Sequence, residues 1–130
     1  MREIKFRAKV KYNRNHYFAY FAGEWVFGHY HQNENGEHLI FDNYEDVEID
    51  ETTLGQYTGL KDKNGVEIYE GDILFDDFNN ESGYVVWNED DLRYEICFYD
   101  CENFICYELL DKNYANGLKI VGNLHDKESK

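Results

Sequence analysis

The sequence contains no proline, only three cysteines and one methionine, and its 27 acids face just 13 cations. Without proline, chain reversals fall to glycine and asparagine. Cys97, Cys101 and Cys106 follow a C-x3-C-x4-C spacing. That is not a zinc-knuckle spacing, and no paired CxxC occurs. They read as reduced core or strand residues, with a thiol nucleophile or a metal ligand as the competing use. Serine occurs only at Ser82 and Ser129, and neither sits in a nucleophile elbow. No glycine loop leads into a helix to cradle phosphate. No apolar run reaches the length of a membrane helix, and no charged-then-apolar leader opens the chain. The expectation is a soluble, cytoplasmic protein with no membrane partner, no cofactor and no enzyme signature.

What is present is aromatic and acidic. Aromatic residues make up 18% of the 130 residues, and large rings let a modest chain build a core. The length fits one domain or two small subdomains. The net charge of −14 is unevenly spread. Residues 1–14 hold Arg2, Lys5, Arg7, Lys9, Lys11 and Arg14 against Glu3, which is +5, so the rest carries −19. Such a body repels phosphate and favours basic partners, so direct nucleic-acid binding is not expected. Solubility alone is the simpler explanation of the acidity.

Hydropathy alternates with a period of two. Ile4, Phe6, Ala8, Val10 and Tyr12 interleave with Glu3, Lys5, Arg7, Lys9 and Lys11, which predicts a strand with a basic outer face. That face invites pairing with acidic strands, in this chain or in a second copy as a homo-oligomer. A turn at Asn13-Arg14-Asn15 and strands at 16–22, 25–31 and 37–41 follow, the last after the hairpin signal Asn33-Glu34-Asn35-Gly36. A short strand at Val47 and Ile49 precedes a single helical turn at Glu51-Thr52-Thr53 capped by Asp50. Further strands are expected at 73–75, 84–87, 94–99, 104–110 and 118–121. Acidic loops at 76–83 and 88–91 separate them, and 125–130 is a frayed tail.

The most specific stretch is the run Gln56-Tyr57-Thr58-Gly59-Leu60-Lys61-Asp62-Lys63-Asn64-Gly65-Val66-Glu67-Ile68-Tyr69-Glu70-Gly71-Asp72-Ile73. Leu60 and Val66 bracket a polar loop. Asn64-Gly65 supplies the positive-φ turn, and Asp62 can accept from amides ahead of it. The spaced acids of a calcium loop are missing. This run resembles the signature of the YopX family of small phage and prophage proteins. The opening Arg2-Glu3-Ile4-Lys5-Phe6-Arg7-Ala8 and the closing Ile120-Val121-Gly122-Asn123-Leu124 resemble that family's usual ends. Lys9-Val10 stands where a Trp-Asp commonly follows, and residues 13–53 match no diagnostic pattern. The resemblance implies an SH3-type barrel in the C-terminal region and no established activity. The expected architecture is mainly β. An N-terminal β region (1–55) precedes an SH3-type small barrel (56–124) and a tail (125–130).

Candidate sites are few. His29 and His31 share one strand face, and a hairpin bringing His38 opposite would make a zinc or nickel site. Surface histidines on an aromatic-rich strand are the simpler reading. Asp72, Asp76, Asp77 and Glu81 cluster near one loop, where a solvated acidic loop is the simpler reading than an acid/base pair. Lys61, Asp62 and Lys63 at the loop tip are contact candidates, on the expectation that the turn exposes them. Trp87 is a candidate in an aromatic groove. Tyr84 and Val86 must face away from Val85 and Trp87, so only one set is exposed. The functional expectation is a non-enzymatic module with an unknown protein partner, and the acidic body favours a basic one. The first alternative is an acidic DNA mimic built on Asp76, Asp77, Glu89, Asp90 and Asp91. The second is a metal- or thiol-dependent enzyme.

Overall fold

The computed structural model describes residues 3–12, 20–99 and 107–126. The chain divides into two compact units, 1–57 and 58–130. Both are built from antiparallel strands, as the alternation predicts. Among the described residues there is one four-residue helix, α1, and no helix long and apolar enough to cross a membrane.

The first unit contains β1 (Phe6–Val10), β2 (Trp25–Gln32), β3 (His38–Phe41) and the start of β4 (Asp46–Lys61). Strand β1 pairs with both β2 and β4, while β3 bridges β2 and β4. The ladder of β1 to β4 therefore closes on itself, which leaves it no free edge strand among the described residues. Alternation on β1 sends Ala8 and Val10 inward against Val26, Ile40, Val47 and Ile49, each at most 3% exposed. The opposite side of β1 is basic, as expected, but Arg7 is not exposed. Its guanidinium lies 4.5 Å from the Trp25 ring centre, and Lys9 Nζ lies 5.3 Å from the same ring. Lys11 pairs with Glu48 at 3.6 Å, so part of the basic face is matched within the chain.

The β2–β3 reversal forms where Asn33–Gly36 predicts it. Asn33 Oδ1 accepts from the amides of Asn35 and Glu37. Gly28 marks a close approach, since a Cβ there would stand 2.0 Å from the Phe41 carbonyl oxygen. The expected helical turn at 51–53 does not form. Instead β4 runs unbroken for sixteen residues, and its register on β1 shifts between Asp50 and Gly55. Asp50 does cap, but inside a bulge: its Oδ1 accepts from Thr52, and its carbonyl accepts from the Thr53 hydroxyl. Tertiary pairing on both sides of the bulge outweighs the local helix signal. Residues 13–19, which include the expected 13–15 turn and most of the 16–22 strand, lie outside the described residues. Tyr20–Ala22 are not in a strand.

The second unit holds the end of β4, β5 (Glu67–Tyr69), β6 (Asp72–Asp76), β7 (Glu81–Asn88), β8 (Arg93–Phe98), β9 (Tyr107–Leu109), α1 (Lys112–Ala115) and β10 (Leu118–Asn123). Its sheet runs β10-β6-β7-β8-β9. One face carries the core of Leu74, Val85, Tyr94, Ile96 and Leu118, closed over by Ile68, Leu110 and Ala115. Helix α1 was not anticipated, although Asp111 caps it by accepting from the Tyr114 amide. The loop expected at 76–83 shrinks to a turn at 77–80, because Glu81 already pairs with Asp76. Residues 100–106 and 127–130 lie outside the described residues, and with them Cys101, Cys106, the start of the 104–110 strand and most of the tail.

Candidate functional site

The histidines do not come together. On β2 the side chains of His29 and His31 share a face, as expected. His38 pairs with Gln32, whose parity matches Tyr30, so it stands on the other face. It stacks on Tyr30 and meets its hydroxyl at 2.5 Å, while its Nε2 lies 2.8 Å from Glu51. His31 bonds instead to Asp46 at 2.8 Å. The one-residue difference in register defeats the trio. No group of three or more His, Cys, Asp or Glu residues able to hold a metal occurs among the described residues.

The loop tip of the signature is also different from expectation. Lys61 and Lys63 are exposed, but Asp62 is only 4% exposed. Its Oδ1 accepts from the amides of Asn64 and Val66, as the sequence suggests. Its Oδ2 accepts from the amide of Ile120 on β10, 58 residues away. The Lys63 amide donates to the Leu118 carbonyl beside it. Asp62 is therefore a clamp between hairpin and sheet, not an exposed contact. Neighbouring signature residues have similar tasks. The Thr58 hydroxyl donates to the Ile68 carbonyl, and buried Asp72 accepts from the Tyr69 amide. Gly65 takes its expected positive φ of 80°.

The acidic set divides too. Asp76 is 6% exposed and caps the 77–80 turn by accepting from Phe78 and Asn79. Asp77 is held by Lys63 at 2.6 Å, and this hydrogen-bonded cation keeps its carboxyl below the usual range. Glu89, Asp90 and Asp91 are exposed on the turn at the other end of β7. At ~3.3 Å per strand residue, that end lies about 23 Å away.

The outer face of the second sheet was not singled out from sequence as a whole. Register aligns two rows of side chains across β7, β8 and β9. Tyr84, Cys97 and Tyr107 form one, and Val86, Glu95 and Leu109 form the other. The Cys97 side chain hydrogen-bonds Tyr84, and with its charge and burial this pushes the phenol up to about 12. The same sulfur raises Tyr107, while burial raises Tyr99. Tyr99, Tyr107 and Leu109 remain exposed. Val85 is buried and its outward neighbours half-buried, as alternation requires. Trp87, on Val85's face, is nonetheless 38% exposed because it sits near the strand end, edge-on to Tyr94 at 4.8 Å.

A groove of about 380 Å³ opens at this end of the sheet, lined by Val86, Trp87, Asn88, Glu89, Glu95 and Tyr107. Glu95 is only 3% exposed, and its Oε2 accepts from Arg93 Nε at 2.7 Å. Its place between Val86 and Leu109 explains the burial. The Arg93-x-Glu95 spacing, with both side chains on one strand face, was the available signal.

A family model described as YopX protein matches residues 5–129. No curated protein matches the chain. The match spans nearly the whole length, and the chain belongs to the YopX family.

Proposed function

We propose that this YopX-family chain, of phage or prophage provenance, is a non-enzymatic module. It binds a protein partner through the outer face of its second sheet. The observation that carries this reading is the double row Tyr84–Cys97–Tyr107 and Val86–Glu95–Leu109 with Tyr99 beside it. Aromatic and aliphatic side chains there remain on the outside of a sheet whose other face already holds the core. Exposed aromatic surface of this kind is enriched at protein interfaces. An SH3-type reading of this unit is supported by its topology. Strands β6 to β9 form a meander, and β10 returns beside β6 after the short helix α1.

The alternative, an acidic DNA mimic, rests on the −19 carried outside residues 1–14. It is less well supported, because Asp76 is buried and Asp77 is ion-paired.

The test is affinity capture with tagged protein and stepped salt elution. Wild type is compared with Tyr99→Asp/Leu109→Asp and with Asp77→Asn/Glu89→Gln/Asp90→Asn/Asp91→Asn. A partner that resists salt and is lost only from the first variant supports the module. A basic protein released by moderate salt, competed by DNA and lost only from the second variant supports mimicry instead.

A further inference from the structure

We propose that the groove at the end of β7 and β8 takes the cationic side chain of a basic peptide, arginine or lysine, from the protein partner. This rests on the interaction-module reading and names the chemistry the module selects.

Three observations converge. First, the groove places a carboxylate deep among apolar walls. Glu95 is 3% exposed, and Arg93 engages its Oε2 through one nitrogen. A guanidinium or ammonium entering the groove reaches the same carboxylate from the open side, where low solvent content strengthens the attraction. Second, one wall is aromatic. Tyr107, on the same sheet face as Glu95, is 45% exposed, so ring surface is available for a cation to stack on. The methylene stem of the same side chain covers Val86. Third, the local charge selects sign. Glu89, Asp90, Asp91 and Glu95 stand against Arg93, four acids to one cation. An anionic ligand is repelled, and a neutral aromatic one leaves Glu95 without added compensation.

Size sets the scale of the ligand. A volume of about 380 Å³ lies at the small end of ordinary ligand sites, which run from ~300 to ~1,000 Å³. It accommodates one long side chain with a little adjoining backbone. The Asn88 carboxamide fixes the rim by accepting from the amides of Asp90 and Asp91, so Glu89 is carried on an ordered turn. The groove is thus prepared before binding, which lowers the ordering cost.

The experiment is an amide-resolved NMR titration of the full chain with a short glycine-serine peptide holding one central arginine. The same peptide with glutamine there is the control. Expected shifts concentrate on the backbone amides of Trp87, Glu89, Glu95 and Tyr107, with at least tenfold weaker binding of the glutamine peptide. Glu95→Gln is expected to weaken arginine binding at least tenfold. Glu89→Gln, at an exposed position, weakens it about threefold and guards against misfolding of the first variant. Shifts spread evenly over the acidic surface, removed by 0.3 M salt and indifferent to both variants, would overturn the proposal, as would no shift at millimolar peptide. If the peptide fails while Tyr99→Asp/Leu109→Asp still abolishes partner capture, the groove assignment falls and the module reading stands.

Discussion

Replacing Asp62 tests whether the signature run is held by the clamp described above. Asp62→Ala removes three acceptor contacts, to Asn64, Val66 and Ile120 at 2.8, 2.9 and 3.1 Å. A hydrogen bond to a charged acceptor contributes roughly 1.5–3 kcal/mol. Asn64 and Val66 lie on an exposed turn, so water recovers most of their loss. About 0.5–1 kcal/mol each is a fair share, and the half-buried Ile120 amide adds about 1.5 kcal/mol. The sum is about 3 kcal/mol, large against a typical domain stability of 5–15 kcal/mol. Asp62→Asn keeps a neutral oxygen for the turn amides but turns an NH₂ toward the Ile120 N–H, so it costs about half as much. The assay is urea unfolding followed by tryptophan fluorescence. The two tryptophans fall one in each unit, and a Trp25→Phe background leaves Trp87 to report the second. Hydrogen exchange at Ile120 should accelerate in the same variants. An Asp62→Ala protein within 0.5 kcal/mol of its parent, or an Asn variant as damaged as the Ala variant, would refute the reasoning.

Three further outcomes follow from the geometry. Tyr84 and Tyr114 are both pushed up to about 12, Tyr84 by its bond to Cys97 and Tyr114 by burial. Their stabilising contribution is complete below the ordinary tyrosine value near 10 and is lost as pH rises toward 12. Ultraviolet titration should therefore show late phenolates, and Cys97→Ala should bring Tyr84 down while leaving Tyr114 in place. Gly28→Ala forces a Cβ to within 2.0 Å of the Phe41 carbonyl oxygen, so the β2–β3 ladder must part. A loss of at least ~2 kcal/mol in the Trp25-reported transition is expected, in the range for overpacking. Lys63→Met should return Asp77 toward the ordinary carboxylate range in an NMR titration. Its depressed pKa means the pair contributes above that range and is lost as pH falls, but exposure keeps any effect on the urea midpoint negligible.

Among the described residues, strand identity was legible where a period of two met a turn signal, while Tyr20–Ala22, the end of the expected 16–22 strand, are not in a strand. The alternation on β1 predicts Ala8 and Val10 inside, and Asn33–Gly36 predicts the reversal that forms. Local signals misled where long-range pairing decides. Asp50-Glu51-Thr52-Thr53 reads as a capped helical turn, yet β1 holds residues on both sides and the same cap closes a bulge. The histidine trio failed for a related reason, because a shared face depends on register, and composition does not specify register. Asp62 shows the limit most clearly. Its two local bonds follow from the sequence of the turn, while the third partner is 58 residues distant and only the folded chain discloses it.

The same distinction explains why the signature is informative about the fold and silent about the partner. Asp62, Thr58, Asp72 and Gly65 spend their polar groups and backbone angles on holding the second unit together. A side chain whose acceptors are all occupied by its own backbone has little left with which to select a ligand. Glu95 is in the opposite position. Only one of its carboxylate oxygens takes the Arg93 bond, it lines an open groove, and it lies outside the signature run. On the proposed reading, partner selection therefore falls to the Trp87–Glu95 end of the sheet, on a scaffold that the Gln56–Ile73 run holds together.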